Sequence, residues 1–203
     1  NNLPNGISIN LSGAASELER TWIAMKNNVL IAFFVIFLSL TVLMRSFILP
    51  FVIVITVPIA GAGGVMGLVV LNQFTAQSLD MLTMLGFIIL TGIVVNNSIL
   101  MVEQTLWHIR YESMKISKAI TEATRNRIRP IFMSTLTSLF GLIPLVIFPG
   151  SGSELYRGIG TVVFGGLSTS AILTLLMVPP LLALALKFEK VKPISQTKQD
   201  EFV

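Results

Sequence analysis

The sequence predicts an all-α integral membrane protein with five transmembrane helices and one cytoplasmic amphipathic helix. Hydrophobic residues make up 53% of the 203 residues and charged residues only 12%, about half the charged fraction of a soluble domain. Apolar runs recur at about the 20 residues that a helix needs to cross a bilayer. The 14 Lys and Arg residues fall mostly outside these runs, where basic residues act as topology signals.

Residues 1–26 precede the first apolar run. Apolar and polar residues alternate from Ile7 to Leu11 after a Pro-Asn-Gly turn, which predicts one edge strand. Residues 14–26 predict a helix that leads into the first span. A lone strand is not stable, and neither an initiator Met nor a signal peptide is present. We therefore expect residues 1–26 to be the end of an exported domain that begins upstream.

Five apolar segments are predicted to span the membrane as helices. They are residues 28–44, 49–71, 81–104, 131–148 and 158–186. The connection at 105–129 is the only long one, and residues 189–203 form a polar tail. Most of the Lys and Arg residues lie in these two segments, so the positive-inside rule places both in the cytoplasm and the N-terminus outside. The net charge of +4 is thereby explained without a nucleic-acid partner.

The 105–129 connection carries a helical pattern with two unlike faces. Its opposite sides are basic and apolar; the apolar side holds Leu106, Ile109, Ile116, Ile120 and Ala123, together with Arg127. This pattern predicts an amphipathic helix on the cytoplasmic surface of the membrane. Its role is either that of a connector held at the lipid surface or that of a partner-binding segment. His108 has no second His or Cys at ligand spacing, which predicts a surface histidine and no metal site.

Two adjacent amides and a carboxylate lie on the third apolar segment, where polar groups are costly. Gly92, Asn96 and Glu103 share one helical face, and Asn97 lies about 100° from it. Two interpretations remain open. Either the asparagines join neighbouring helices through hydrogen bonds while Glu103 is solvated near the cytoplasmic interface, or they line a hydrated path for a proton or another ion.

A second polar strip is predicted on the fourth segment. Arg127, Ser134, Ser138 and Gly141 align on one helical face, and Pro130 lies near the predicted helix start. In one interpretation Arg127 is a topology signal and the serines bond to carbonyl groups of their own helix. In the other, Ser134 lies on the same path as the asparagines, and Arg127 sets the electrostatic potential at its cytoplasmic end.

Glycines cluster in the second and fifth segments, where small residues let helix backbones approach closely. One cluster holds Gly61, Gly63, Gly64 and Gly67, and the other holds Gly158, Gly160, Gly165 and Gly166. Helix packing accounts for them, because no Gly-Lys-Ser/Thr sequence follows that would form a phosphate-binding loop. The sequence has no Cys and no nucleophile–base pair, metal cluster or nucleotide loop. We therefore expect no cofactor and no enzyme activity.

Three stretches of the sequence resemble one protein family. They are Gly92-Ile-Val-Val-Asn-Asn-Ser-Ile-Leu-Met-Val-Glu103, Arg125-Asn-Arg-Ile-Arg-Pro-Ile-Phe-Met-Ser134 with the residues up to Leu145, and Gly150-Ser-Gly-Ser-Glu-Leu-Tyr156 with the Gly-rich helix after it. They resemble the C-terminal transmembrane portion of the resistance-nodulation-division (RND) efflux permeases, hydrophobe/amphiphile branch. The resemblance covers essentially the whole chain. It implies that the spans are helices eight to twelve of a twelve-helix subunit, and that residues 1–26 end the second periplasmic porter domain.

The resemblance implies a bacterial inner-membrane antiporter that uses the proton-motive force and no cofactor. Such permeases export amphiphilic compounds or drugs, and the transmembrane half contributes the proton relay. They are homotrimers that contact membrane lipid. They work with a periplasmic adaptor (membrane fusion) protein and an outer-membrane channel, and they bind no nucleic acid. Two alternatives remain: an RND-related transporter for protein export or lipids, and an inactive truncated fragment.

The resemblance also implies which residues belong to the proton relay. Arg127 matches an arginine of the family, and Ser134 matches a hydroxyl residue that is usually Thr. Asn96, which Asn97 follows, occupies the position of a lysine. Asparagine can hydrogen-bond to a carboxylate but cannot be its counter-ion, so the coupling ion and its stoichiometry stay open. The family's pair of aspartates is not in this sequence, which therefore supplies only part of a relay.

Overall fold

The computed structural model describes residues 14–77, 79–148, 150 and 154–189, and this part of the chain is a bundle of α-helices without strands. The helices are α1 (Ala14–Met44), α2 (Ile48–Val54), α3 (Thr56–Asn72), α4 (Met81–Arg110), α5 (Ile116–Ile147) and α6 (Arg157–Phe188), with a 3-10 turn at Glu154–Tyr156. The predicted all-α fold is confirmed. The strand predicted before residue 12 and the tail after Glu189 lie outside the described residues.

Four helical segments of the described chain are long and apolar enough to cross a membrane. They are Ile48–Asn72, Met81–Arg110, Ile116–Ile147 and Arg157–Phe188. The first predicted span, 28–44, lies within α1, whose described apolar stretch, Phe33–Met44, is shorter than the other four. The helix predicted for residues 14–26 and this span form one continuous helix.

The second predicted span, residues 49–71, is interrupted at Ile55, so α2 and α3 are separate helices. Pro58 accounts for the break, because it has no backbone N–H to donate to the carbonyl of Val54. Next to this break, the hydroxyl of Thr56 donates to the carbonyl of Ile53 at 2.6 Å. The predicted span 49–71 thus corresponds to the apolar segment Ile48–Asn72, with its helix interrupted at Ile55.

The predicted surface helix at 105–129 does not exist as a separate element. α4 continues to Arg110, the chain turns through Ser113, whose φ of 51° is left-handed, and α5 then runs without a break through Pro130. The apolar side of the predicted helix is buried against protein, not lipid. It packs with the ends of α1 and α6 in one core cluster that includes Leu106, Ile109, Ala119 and Ile120.

Helix α6 lies at the centre of the described bundle and packs against α2, α3, α4 and α5. One core cluster joins its C-terminal half to α1, α2 and the adjacent ends of α4 and α5. A second cluster joins its first half to α3 and the first half of α4. Both clusters include residues of α6, which packs against α4 and α5.

The backbones of α3 and α6 approach closely where the two helices cross. A Cβ built on Gly165 of α6 would lie 2.7 Å from the carbonyl oxygen of Gly63 and 2.9 Å from the Cα of Gly67. Real Cβ atoms do not approach backbone atoms this closely, so the crossing requires glycine. Gly61 lies two residues before Gly63 on α3. A Cβ built on Gly61 would have no atom within 4 Å, so Gly61 takes no part in the crossing.

A network of hydrogen bonds fixes the corner between α1 and α2. Arg45 adopts a left-handed φ of 53°, and the N–H of Ser46 donates to the carbonyl of Thr41 at 3.3 Å, a common way to end a helix. The hydroxyl of Ser46 accepts the N–H groups of Ile48 and Leu49 at 3.1 and 3.2 Å. It also donates to the carboxylate of Glu189, beyond α6, at 2.6 Å.

We expect Ser46→Ala to destabilise the protein by about 1 kcal/mol, because it leaves the first N–H groups of α2 without a side-chain acceptor. The apparent melting temperature of the purified protein should fall by about 2–4 °C. Ser117→Ala, on the exposed side of α5, is the matched control and should melt like the wild type. Equal melting of the two variants would show that the corner does not depend on this hydroxyl.

Candidate functional site

Helices α4 and α5 run antiparallel, joined by residues 111–115, and a hydrogen bond joins their facing sides. The Nε–H of Arg127 donates to the side-chain oxygen of Gln104 at 2.6 Å, and both side chains are half-buried. The sequence singled out Arg127 but not Gln104. The available signal was that Gln104 lies seven residues, or two helical turns, after Asn97 and therefore on the same side of α4.

This hydrogen bond sets the register of the polar residues on the two helices. Asn97 precedes Gln104 by seven residues, and Ser134 follows Arg127 by seven. Because the helices are antiparallel, both residues lie about 10.5 Å from the bond in the same direction along the bundle. Asn97 and Ser134 are thus at the same level, with Asn97 half-buried and Ser134 exposed.

The predicted site residues are close in register but do not bond to one another. The hydroxyl of Ser134 donates to the carbonyl of Ile131 on its own helix, at 3.1 Å. Within the described residues, neither Asn96 nor Asn97 forms a side-chain hydrogen bond. Within the part of the chain that the structure describes, Arg127 is the only candidate residue whose side chain bonds to another helix.

The polar strips on both helices face away from the described core. Gly92, Asn96 and Glu103 on α4, and Ser134, Ser138 and Gly141 on α5, are all exposed. In the most apolar 18-residue stretch of α5, 11% of the stretch is buried, against 50% of the corresponding stretch of α2 and α3. Because unpaired polar groups are costly in hydrocarbon, these strips are suited to contact with further protein helices.

Two hydroxyls that no sequence pattern indicated join α3 to α4. The oxygens of Thr56 and Ser98 lie 3.1 Å apart, and both residues are buried. Each hydroxyl also lies within hydrogen-bond distance of a carbonyl of its own helix, Ile53 for Thr56 and Val94 for Ser98. This pair performs the interhelical bonding that one interpretation assigned to the asparagines.

His108 is buried, so the prediction of a surface histidine was wrong. Its Nδ1 lies 2.7 Å from a carboxylate oxygen of Glu112, one turn further on, and its Nε2 is buried with no partner among the described residues. Its apolar neighbours Leu106 and Ile109 pack in the core, so this part of α4 is buried. No group of three or more His, Cys, Asp or Glu in the described chain could hold a metal ion.

The chain is similar to known proteins along most of its length. A sequence model of the AcrB/AcrD/AcrF family matches residues 1–185. The swarming motility protein SwrC of Bacillus subtilis (strain 168) is 31% identical over 191 residues, which are 94% of this chain and 18% of SwrC. The multidrug resistance protein MdtC of Erwinia amylovora is 33% identical over 177 residues, which are 87% of this chain and 17% of MdtC.

One solved structure shares both the fold and part of the sequence. It is an X-ray crystal structure of a heavy metal efflux pump, with a TM-score of 0.73 and 26% identity, and the match covers 89% of this chain and 18% of the pump. The chain thus spans less than a fifth of the length of these relatives. The matched part includes α4 and α5 and therefore all four candidate residues.

Proposed function

The chain belongs to the AcrB/AcrD/AcrF family of RND efflux permeases, and on that premise we propose that it is part of a proton-driven inner-membrane transporter that exports amphiphilic compounds or drugs. The relatives named above include a multidrug resistance protein and a heavy metal efflux pump. Because the chain covers 17–18% of their length, we propose that it acts as the C-terminal transmembrane part of a longer permease subunit. One of the similar proteins is an efflux pump, and we propose no enzyme activity.

The observation that carries the proposal is the hydrogen bond from Arg127 to Gln104 at one end of the two exposed polar strips. Arginine is always charged, so Arg127 supplies a fixed positive potential at that end. Asn96, Asn97 and Ser134 can donate and accept hydrogen bonds but carry no charge. In this proposal their side chains line the proton path, while carboxylates elsewhere in the subunit take up and release the proton.

The proposed orientation has the basic end of the bundle in the cytoplasm and the N-terminus in the periplasm. The hydroxyl of Ser46 binds Glu189, and the guanidinium of Arg110 donates to the carbonyl of Met44 at 3.4 Å. The ends of α1, α4 and α6 therefore lie together, and the basic residues near them support a cytoplasmic location. The proposed partners are two further copies of the subunit, a periplasmic adaptor, an outer-membrane channel and membrane lipid.

The proposal is tested by expressing the full-length gene with its adaptor and channel in a bacterium that lacks its own efflux pumps. We expect a higher resistance to cationic amphiphilic dyes and drugs than in the same strain with an empty vector. An unchanged resistance to every amphiphile, with the protein present in the membrane, would favour another cargo or an inactive chain.

We expect Asn96→Lys to shift the pH dependence of transport toward acidic pH. A lysine at this position adds a positive charge to the proposed path, and a cation holds nearby carboxylates in the charged form down to lower pH. The measurement is the initial rate of transport by the full-length protein as a function of pH. Asn126→Lys, on the exposed basic part of α5, is the control; equal profiles for both variants would place Asn96 away from the titrating groups.

A further inference from the structure

Gln104 is the acceptor that holds the side chain of Arg127. The distance of 2.6 Å between Nε and Oε1 is typical of a short, charge-assisted hydrogen bond. An arginine near a membrane surface otherwise extends its flexible stem to bring the charge into water. A bond at Nε therefore fixes where the charge of Arg127 lies.

The bond occupies one of the five N–H donors of the guanidinium and leaves four on the two terminal nitrogens. One N–H of each terminal nitrogen lies on the edge between them, where a carboxylate binds in a bidentate manner. No other described residue takes a hydrogen bond from Arg127. The terminal nitrogens are thus available to an acceptor on another part of the protein.

The chemistry of Gln104 suits this arrangement better than that of a carboxylate or an apolar residue. A glutamate would accept the same N–H but would neutralise the guanidinium, and the positive potential would be lost. A leucine of similar size would accept nothing. The neutral amide holds the position of Arg127 and preserves its charge.

We propose that Gln104 is a positioning residue for the ion path: it accepts the Nε–H of Arg127 and so keeps an uncompensated charge, with its terminal nitrogens free, at the end of the polar strips. The inference rests on the proposed function, because it assigns Gln104 a part in proton coupling. It adds a residue that neither the sequence patterns nor the resemblance singled out.

The bond itself is tested without any transport measurement. In the purified full-length protein labelled with ¹⁵N-arginine, the Nε–H signal of Arg127, assigned by its loss in Arg127→Lys, should exchange slowly with solvent. Gln104→Leu should raise its exchange rate about tenfold or more, which corresponds to the loss of one hydrogen bond to a charged group. A rapidly exchanging signal in the wild type, or one that Gln104→Leu leaves unchanged, would overturn the proposal.

The role is tested by transport as a function of pH in the same variants. Gln104→Leu should lower the rate about tenfold, and both it and Gln104→Glu should shift the profile to higher pH, because less positive potential reaches the carboxylates. Gln73→Leu, an exposed amide beyond α3, should behave as the wild type. The positioning role would be refuted if both Gln104 variants had wild-type rates and pH profiles while Arg127→Ala was impaired. If Arg127→Ala was itself unimpaired, the proposed relay would be refuted instead.

Discussion

Gly165→Ala should strongly destabilise the bundle, although it adds only one methyl group. The new Cβ would lie 2.7 Å from the carbonyl oxygen of Gly63 and 2.9 Å from the Cα of Gly67. Both neighbours are backbone atoms and cannot rotate away, so α3 and α6 must separate and the core around α6 must loosen. Overpacking in a well-packed core costs about 1–3 kcal/mol or more, and we expect the upper end of that range.

The measurement is the melting temperature and the amount of correctly assembled full-length protein in mild detergent. Gly61→Ala is a matched control, because Gly61 lies on the same helix as Gly63 and has no atom within 4 Å of the added Cβ. Alanine favours a helix by about 0.5–1 kcal/mol over glycine, so Gly61→Ala should be neutral or slightly stabilising. Equal stability of the two variants would mean that the helices do not cross at these glycines.

Arg127→Ala should reduce substrate efflux by the full-length protein by at least about tenfold, because it removes a fixed charge that a neutral side chain cannot replace. Ser134→Ala should reduce efflux less, since the hydroxyl donates only to a carbonyl of its own helix and leaves no buried group unpaired. Neither change should prevent expression or assembly, because Arg127 is half-buried and Ser134 is exposed. Efflux rates and membrane protein levels are the measurements.

Arg125→Ala separates the proposed role from a general effect of basic charge on α5. Arg125 is exposed and lies about 160° around the helix from Arg127. It should affect efflux little if the position of the charge matters. Undiminished efflux in both Arg127→Ala and Ser134→Ala would refute the roles assigned to these residues. Equal losses of efflux in Arg125→Ala and Arg127→Ala would indicate that Arg127 acts only as a topology signal.

Hydrophobic run length was sufficient to predict the fold class and the approximate positions of the long helices. It did not predict their ends, because packing against neighbours extends a helix beyond its apolar core. Leu106 and Ile109 are buried in the part of α4 that follows Glu103. Ala119 and Ile120 are buried in the part of α5 that precedes its predicted membrane span. A proline can also act in two ways: α5 continues through Pro130, whereas the helix breaks near Pro58.

The candidate site was predicted as single residues, and the contact between the helices was not. Helical periodicity indicates which residues share a face, as it did for Arg127 and Ser134, but it contains no information on the register between two helices. That register depends on the length of the 111–115 turn and on core packing, and it places Asn97 level with Ser134. Gln104 was missed because a polar residue near a membrane interface has many ordinary roles.

The central claim is that this chain contributes to transport driven by protons, and purified full-length protein in liposomes tests it most directly. Substrate flux should be measured while the pH difference across the membrane is set from outside, with and without a protonophore. We expect flux to rise with the imposed pH difference, to stop when the protonophore removes it, and to lose this dependence in Arg127→Ala. Flux that is the same at every imposed pH difference, in wild type and variant alike, would contradict the account.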